Sequence, residues 1–126
     1  MGSGMNEQGQ IDKGKALKWL EGDERMFVRI KAIFMKNVPP QVEQLKECLA
    51  LGDTGSTERL AHTIMGSSAM LGASVMSSEA GKIELSAIEG DMNAARLHFT
   101  KFVGEYEKVM EELFVEGGCD AYSGSR

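Results

Sequence analysis

A glycine followed by an aspartate occurs three times, at Gly22-Asp23, Gly52-Asp53 and Gly90-Asp91, and this repeat constrains the fold more than any other feature. Glycine readily adopts the left-handed conformation that ends a helix, and aspartate is a preferred N-cap of the helix that follows. Each pair therefore indicates that one helix ends and the next begins with almost no loop between them. Three such connections predict a bundle of antiparallel helices.

Between these pairs, apolar residues recur at the spacing of a helix. The predicted helices run from about 11 to 22, 23 to 38, 40 to 51, 54 or 57 to 71 (with Asp53 or Ser56 as the N-cap), 75 to 89 and 91 to 115. The break after 38 is predicted because Pro39-Pro40 removes two backbone donors and restricts the residue before it. Since no strand pattern is found, the sequence predicts an all-α fold, an antiparallel four-helix bundle with one or two additional N-terminal helices.

The length of 126 residues fits one domain, which we assign to residues 11–115. Residues 1–10 are interpreted as an expression-tag scar with a loose polar lead-in, and residues 116–126 as a flexible, glycine-rich tail. The net charge of -5, without a run of Lys or Arg, argues against nucleic acid and anionic membranes as partners. No apolar run approaches the roughly 18 residues of a membrane span and no signal sequence is visible, so we expect a cytoplasmic protein.

The stretch Glu58–Ala73 places one histidine away from the apolar side of its helix. At about 100° per residue, the core-facing positions fall within a sector of about 80°. They are Leu60, Ile64, Ser67, Leu71 and, one turn on, Val75. His62 points roughly opposite, together with Glu58, Arg59, Gly66, Ala69 and Ala73, and with Met65 and Met70 at the flanks. We therefore predict an exposed imidazole that a broad partner can approach closely over Gly66.

The two histidines of the chain, His62 and His98, exclude several kinds of site. Neither lies in an HExxH or HxxE arrangement, so no metal site is predicted. No serine lies on a GxSxG elbow, and no GxxxxGK[ST] phosphate loop occurs. An exposed neutral imidazole can still accept a phosphoryl group from a partner that supplies metal and charge stabilisation. The alternative is that His62 is an ordinary surface histidine.

Residues 61–73, AHTIMGSSAMLGA, strongly resemble AHTLKGSSxxLGA, the usual signature of histidine-containing phosphotransfer (HPt) domains of two-component phosphorelays. The resemblance extends through LKECLALGD before this segment, AIEGDMNAARLHF after it, and LKWLEGDERMF near the start. It thus covers about residues 11–114. The family fold that it implies agrees with the helical bundle predicted from the helix pattern.

The resemblance implies roles for individual residues. By this analogy His62 is phosphorylated at Nε2, and Gly66 leaves clearance for the docking partner. Glu84 stands on the following helix, where the family often has a polar residue near the imidazole. It is expected to accept a hydrogen bond from Nδ1 and so fix the tautomer, with a solvated surface glutamate as the alternative.

The chain departs from the family at Met65, where the family usually has a lysine. The charge of that lysine would favour a phosphoryl group carrying up to two negative charges, and methionine cannot supply it. Arg59 and Lys82 are the candidates for partial compensation. The face that carries this methionine is adaptable and apolar enough to bind a partner. The predicted partner-docking residues are Met65, Ala69, Met70 and Ala73.

Two functions remain open. The first is a phosphocarrier that accepts a phosphoryl group on His62 from a receiver-domain aspartate and passes it to another receiver. The second is a pseudo-HPt adaptor that docks a receiver or kinase without carrying phosphate, as the loss of the usual lysine at Met65 suggests. The expected partners are response-regulator receivers and a hybrid histidine kinase. We expect a monomer without an ATP-binding or kinase motif and without a cofactor of its own, the Mg²⁺ being bound by the receiver.

Overall fold

The computed structural model describes residues 10–115, and within this range the chain forms five helices. They are α1 (Lys13–Trp19), α2 (Glu24–Leu51), α3 (Thr54–Leu71), α4 (Ser74–Ile88) and α5 (Met92–Leu113). No strand occurs in this part of the chain, which confirms the all-α prediction. The tag scar and lead-in proposed for residues 1–10 lie outside the described residues except for Gln10, and so does the tail predicted to be flexible, residues 116–126.

The four long helices form an antiparallel bundle in which α2, α3, α4 and α5 each pack against their sequence neighbours, and α5 closes the ring against α2. Consequently α5 lies diagonally opposite α3. The short helix α1 packs against α3 and α2 at one end of the bundle. The prediction of a four-helix bundle with additional N-terminal structure is confirmed, with one extra helix.

The Gly-Asp pairs end and begin helices as predicted. Gly52 ends α2 in the left-handed conformation, with φ of 73°. Asp53 then caps α3 by accepting a hydrogen bond from the backbone N–H of Ser56 at 3.1 Å. Asp23 and Asp91 cap α2 and α5 in the same way. These connections fix the ends of three helices and hold their neighbours antiparallel.

The predicted break at Pro39-Pro40 is wrong, because α2 continues through both prolines. A proline inside a helix costs about 3 kcal/mol through the lost hydrogen bond and the clash with the preceding turn. The apolar stripe stays in phase across the pair and is buried throughout, through Phe34, Val38, Val42, Leu45 and Leu49. Each of these side chains contributes about 1.5–3 kcal/mol on burial, which offsets the local cost.

The connection between α3 and α4 also holds α1 in place. Gly72 ends α3 with φ of 86°, and its carbonyl accepts a hydrogen bond from the backbone N–H of Asp12 at 2.8 Å. The side chain of Asp12 in turn caps α1 through the N–H of Lys15. Lys15 Nζ donates to Ser74 Oγ at 3.1 Å. The N-terminal helix is therefore attached to the bundle at the end of α3.

The N-cap of α3 gives a testable pH dependence. Hydrogen bonds from Ser56, the backbone N–H first, hold the pKa of Asp53 below its ordinary value, with a smaller contribution from Arg59. Because the pKa is lower in the folded state, the ionised cap stabilises the fold above about pH 4, and this stabilisation is lost as the pH falls through the folded-state value. Asparagine keeps the capping oxygen but does not titrate.

We therefore expect Asp53→Asn to reduce the loss of stability on acidification. Urea unfolding of the wild type and the variant at neutral pH and near pH 3 checks this. Equal losses in the two proteins would contradict the assignment of this acid sensitivity to the cap.

Candidate functional site

His62 lies in the middle of α3 with its side chain 65% exposed. The side chains that α3 buries lie on the other side of the helix and are Thr57, Ala61, Ile64, Ser68 and Leu71. The opposition between the imidazole and the buried stripe is the arrangement that the helical wheel predicts. The opposite face of α3 therefore packs in the core of the bundle, and the imidazole ring is open to solvent.

Three details of the wheel are wrong. The buried stripe includes Ala61 and Ser68, whereas Ser67, placed in it by the sequence, is only half-buried. Val75 is 51% exposed, since α3 ends at Gly72 and the residues beyond it follow the direction of α4. The same change of direction explains Ala73, which is completely buried and cannot contact a docking partner. A wheel drawn past a helix end assigns the wrong faces.

Glu84 of α4 contacts the imidazole directly. Its Oε2 lies 2.9 Å from Nδ1 of His62, and its side chain is only 19% exposed. A carboxylate can only accept a hydrogen bond, so a neutral ring carries its proton on Nδ1. The lone pair of the neutral ring then lies on Nε2, the nitrogen that Glu84 does not contact. The sequence-predicted pair is thus brought together, and the contact fixes both the tautomer and the orientation of the ring.

Gly66 leaves open space one turn after the histidine. A Cβ atom built at this position would meet nothing within 4 Å. Ala69, a further turn along, is exposed and carries only a methyl group. Along α3, the two positions that follow His62 on its side of the helix therefore carry no bulky side chain.

Met65 turns towards α4 instead of projecting over the histidine. Its Sδ would lie 3.1 Å from a Cβ atom built on Gly81, so the glycine provides the space that the sulfur occupies. The backbone carbonyl of Met65 accepts a hydrogen bond from Ser77 Oγ at 2.9 Å, which ties the two helices together. At the position where the family usually has lysine, this chain thus has an apolar contact between helices.

The two candidate compensating cations are paired elsewhere. Arg59 donates to Ser56 Oγ at 3.1 Å, at the start of α3. Lys82 pairs with Glu79 at 3.2 Å, one turn away on its own helix. Neither forms an ion pair or hydrogen bond with His62 within residues 10–115. Among the described residues, the ring is thus contacted by the carboxylate of Glu84, and Arg59 and Lys82 bond to other groups.

The predicted docking residues other than Ala73 are accessible. Met70 is 45% exposed, and Met65 is half-buried. The structure also has a groove between α2 and α3, on the side of Thr63 and Met70, which the sequence analysis did not predict. It is lined by Ile30, Ile33, Phe34, Asn37, Val38, Gln41, Thr63, Ser67 and Met70. In the sequence, this groove was indicated only by Ile33, an apolar residue off the buried stripe of α2, which is 54% exposed in the structure.

In the described part of the chain, no three His, Cys, Asp or Glu side chains are grouped so that they could hold a metal ion. None of the helices of residues 10–115 combines the length and the apolar character needed to cross a bilayer.

The fold and the site together define a helical bundle that presents one oriented histidine to solvent. The family model of the Hpt domain matches residues 29–114, which is more than half of the chain, and the chain belongs to this family. Its family places it in two-component phosphorelay signalling, in which Hpt domains partner with response-regulator receivers. Comparison with curated proteins and with solved structures finds no match. The match begins within α2, so α1 lies outside it.

Proposed function

We propose that this chain is a phosphocarrier that accepts a phosphoryl group on Nε2 of His62 from the aspartyl phosphate of a receiver domain and passes it to a second receiver. The observation that carries the proposal is the 2.9 Å contact between Nδ1 and Glu84, in a ring that is otherwise open. This contact directs the lone pair of the neutral imidazole outward. A nucleophile that is oriented by a neighbouring carboxylate and freely approached is what phosphoryl transfer between proteins requires.

The atoms and electrons of the proposed transfer balance between the imidazole of His62 and the aspartyl phosphate of the receiver. The Nε2 lone pair attacks phosphorus in line, an N–P bond forms, and the O–P bond of the aspartyl phosphate breaks, which returns the electron pair to the receiver's carboxylate. The Nδ1 proton stays on the ring, and Glu84 stabilises the positive charge that the ring acquires. Transfer to the next receiver is the same step in reverse. The receiver supplies Mg²⁺ for the charge on the phosphoryl oxygens.

The adaptor function is the second candidate, and the packing of Met65 against Gly81 favours it. An apolar contact at this position removes the cation expected beside a phosphohistidine, whereas the docking surface stays intact. In this case the protein would bind a receiver or kinase without being phosphorylated.

One assay separates the two functions. The protein is incubated with a receiver domain phosphorylated with ³²P, and the label on it is tested for the acid lability and base stability of phosphohistidine. For a carrier, the label appears on the wild type, maps to residue 62 by mass spectrometry, and is absent from His62→Gln. Binding of the receiver to the wild type without label would support the adaptor and overturn the carrier.

Removing the carboxylate is expected to slow transfer without preventing docking. In Glu84→Ala nothing holds the Nδ1 proton, and the ring loses its fixed orientation, so we expect the transfer rate at saturating receiver to fall by about tenfold or more. Glu84→Gln keeps an oxygen acceptor for Nδ1 and should fall less. Single-turnover transfer measured over a range of receiver concentrations separates the rate from the affinity. An unchanged rate in Glu84→Ala would contradict an orienting role.

Introducing the missing cation is expected to stabilise the phosphorylated form. In Met65→Lys the ammonium group leaves the apolar contact with Gly81 and extends into solvent near the phosphoryl group. An exposed pair of this kind contributes about 0.2–1 kcal/mol, which corresponds to a phosphohistidine lifetime up to about fivefold longer. The decay of the labelled protein measures it. Met70→Lys, two turns from the histidine, is the matched control, and an equal effect there would indicate a general charge effect.

A further inference from the structure

Three residues of α4 contact the helix that carries the histidine. Ser77 Oγ donates a hydrogen bond to the backbone carbonyl of Met65 at 2.9 Å. One turn further along α4, Gly81 lies against the sulfur of the same methionine. The third residue is Glu84, whose Oε2 lies 2.9 Å from Nδ1 of His62. Since successive members of this set stand four and three residues apart, they lie on one face of α4. The face that ties α4 to α3 is thus the face that carries the carboxylate of the site.

We propose that Ser77 is a positioning residue, whose hydrogen bond to α3 sets the rotation of α4 about its own axis and thereby holds Glu84 against Nδ1. Its hydroxyl bonds to the carbonyl of Met65, so its effect on the imidazole passes through Glu84. For the effect on phosphoryl transfer, this role rests on the proposed function. The effect on the tautomer of His62 needs no receiver.

The two hydrogen-bonded contacts are coupled because both lie on the same line along α4. Ser77 and Glu84 are seven residues apart, which is nearly two full turns, so a rotation of the helix moves both side chains in the same direction. At about 6 Å from the helix axis, a rotation of about 10° displaces a side-chain group by about 1 Å. N–H···O hydrogen bonds rarely exceed about 3.2 Å, so the 2.9 Å contact of Glu84 is lost when its carboxylate moves that far from the ring.

The packing beside Ser77 does not restrain this rotation in the same way. A Cβ built on Gly81 would lie only 3.1 Å from Sδ of Met65, so the two helices are already close at this point. The contact of a thioether with a glycine has no preferred direction, whereas a hydrogen bond does. A carbonyl has two lone pairs, so that of Met65 accepts from Ser77 without giving up its bond within α3. The hydroxyl therefore adds the directional contact at this interface.

The tautomer of His62 tests the positioning role without a receiver. The full-length protein is labelled with ¹⁵N-histidine, and long-range ¹H–¹⁵N spectra are recorded about two pH units above the ordinary imidazole pKa of about 6.5, where the protonated and unprotonated ring nitrogens are distinguished. His62→Gln assigns the signals, since His98 is the other histidine of the chain. We expect the proton on Nδ1 in the wild type, and a mixture of the two tautomers in Ser77→Ala and in Glu84→Ala.

Matched variants separate positioning from a general loss of packing. Ser77→Thr keeps the hydroxyl and should restore the wild-type tautomer. Ser78→Ala makes the same substitution at the next position, which is exposed, and should leave the tautomer unchanged. The positioning role is overturned if Ser77→Ala keeps the wild-type tautomer, if Ser78→Ala alters it equally, or if Ser77→Thr does not restore it.

The transfer assay gives a second measure. At saturating receiver we expect Ser77→Ala to lower the transfer rate about threefold, less than Glu84→Ala, because the carboxylate is displaced but still present. When Ser77→Ala is added to Glu84→Ala, no further loss is expected, since a residue that acts only through the carboxylate then has nothing to position. Losses that multiply in the double variant would show that Ser77 acts by another route and would overturn the role.

The two measurements distinguish the positioning role from the proposed function. If the variants change the tautomer as expected but the receiver does not label His62, the role of Ser77 is supported and the carrier function is overturned. If the receiver labels the wild type but Ser77→Ala keeps the wild-type tautomer, the carrier function stands and the role of Ser77 is overturned.

Discussion

Replacing Gly66 with leucine is expected to make the protein more stable and to lower phosphoryl transfer by about 100-fold. A Cβ at this position meets nothing within 4 Å, so the free protein accommodates the side chain. Removing a glycine from a helix interior adds about 0.5–1 kcal/mol to the free energy of unfolding. In the proposed transfer, however, the leucine occupies the space through which the receiver approaches Nε2. A displacement of about 1 Å from the productive geometry is enough for a loss of this size.

Gly104→Leu is the matched control for this prediction. Gly104 also lies inside a helix, α5, and a Cβ built there also meets nothing within 4 Å. It should give the same gain in stability and normal transfer, because α5 is diagonally opposite α3. Urea unfolding and single-turnover transfer on the same preparations measure both effects. Normal transfer in Gly66→Leu would mean that the open space beside His62 is not the receiver's path.

The ends of the helices could be predicted because each is encoded locally. Gly52-Asp53 is an example, since the left-handed residue and the N-cap are determined by the two residues themselves. The continuity of α2 through Pro39-Pro40 could not be predicted in this way. The prolines act locally, whereas the burial that outweighs them depends on the helices packed against Val38 and Leu45. The apolar positions keep the same helical phase across the prolines, which indicates one continuous helix. The prediction followed the local effect of the prolines instead.

The same distinction, between features encoded locally and features that depend on packing, applies to the candidate site. The exposure of His62 and the space over Gly66 follow from the period of one helix and were predicted. The burial of Ala73 and the turn of Met65 towards Gly81 depend on where α3 stops and on how α4 packs against it. The contact between Glu84 and Nδ1 also depends on this packing, and only the family resemblance placed it in advance. The groove that residues of α1 share with Met65 could not be predicted from the pattern of any single helix.

The largest expected loss of stability comes from Gly72→Ala. Gly72 has φ of 86°, a conformation that costs an alanine about 1–2 kcal/mol. A Cβ there would also collide with the backbone carbonyl of Asp12, which cannot move without breaking the hydrogen bond from its own N–H to the Gly72 carbonyl. We expect the free energy of unfolding to fall by roughly 2–3 kcal/mol in total. Chemical denaturation measures it.

Gly52→Ala separates the two causes of this loss. Gly52 has φ of 73°, but a Cβ there meets nothing within 4 Å, so only the conformational cost of about 1–2 kcal/mol applies. The difference between the two variants is therefore the cost of displacing Asp12, and with it the N-cap of α1. Displacement of α1 should also change the fluorescence of Trp19 in Gly72→Ala alone. Equal losses of stability in the two variants, with the fluorescence of Trp19 unchanged, would mean that α1 is not held through this contact.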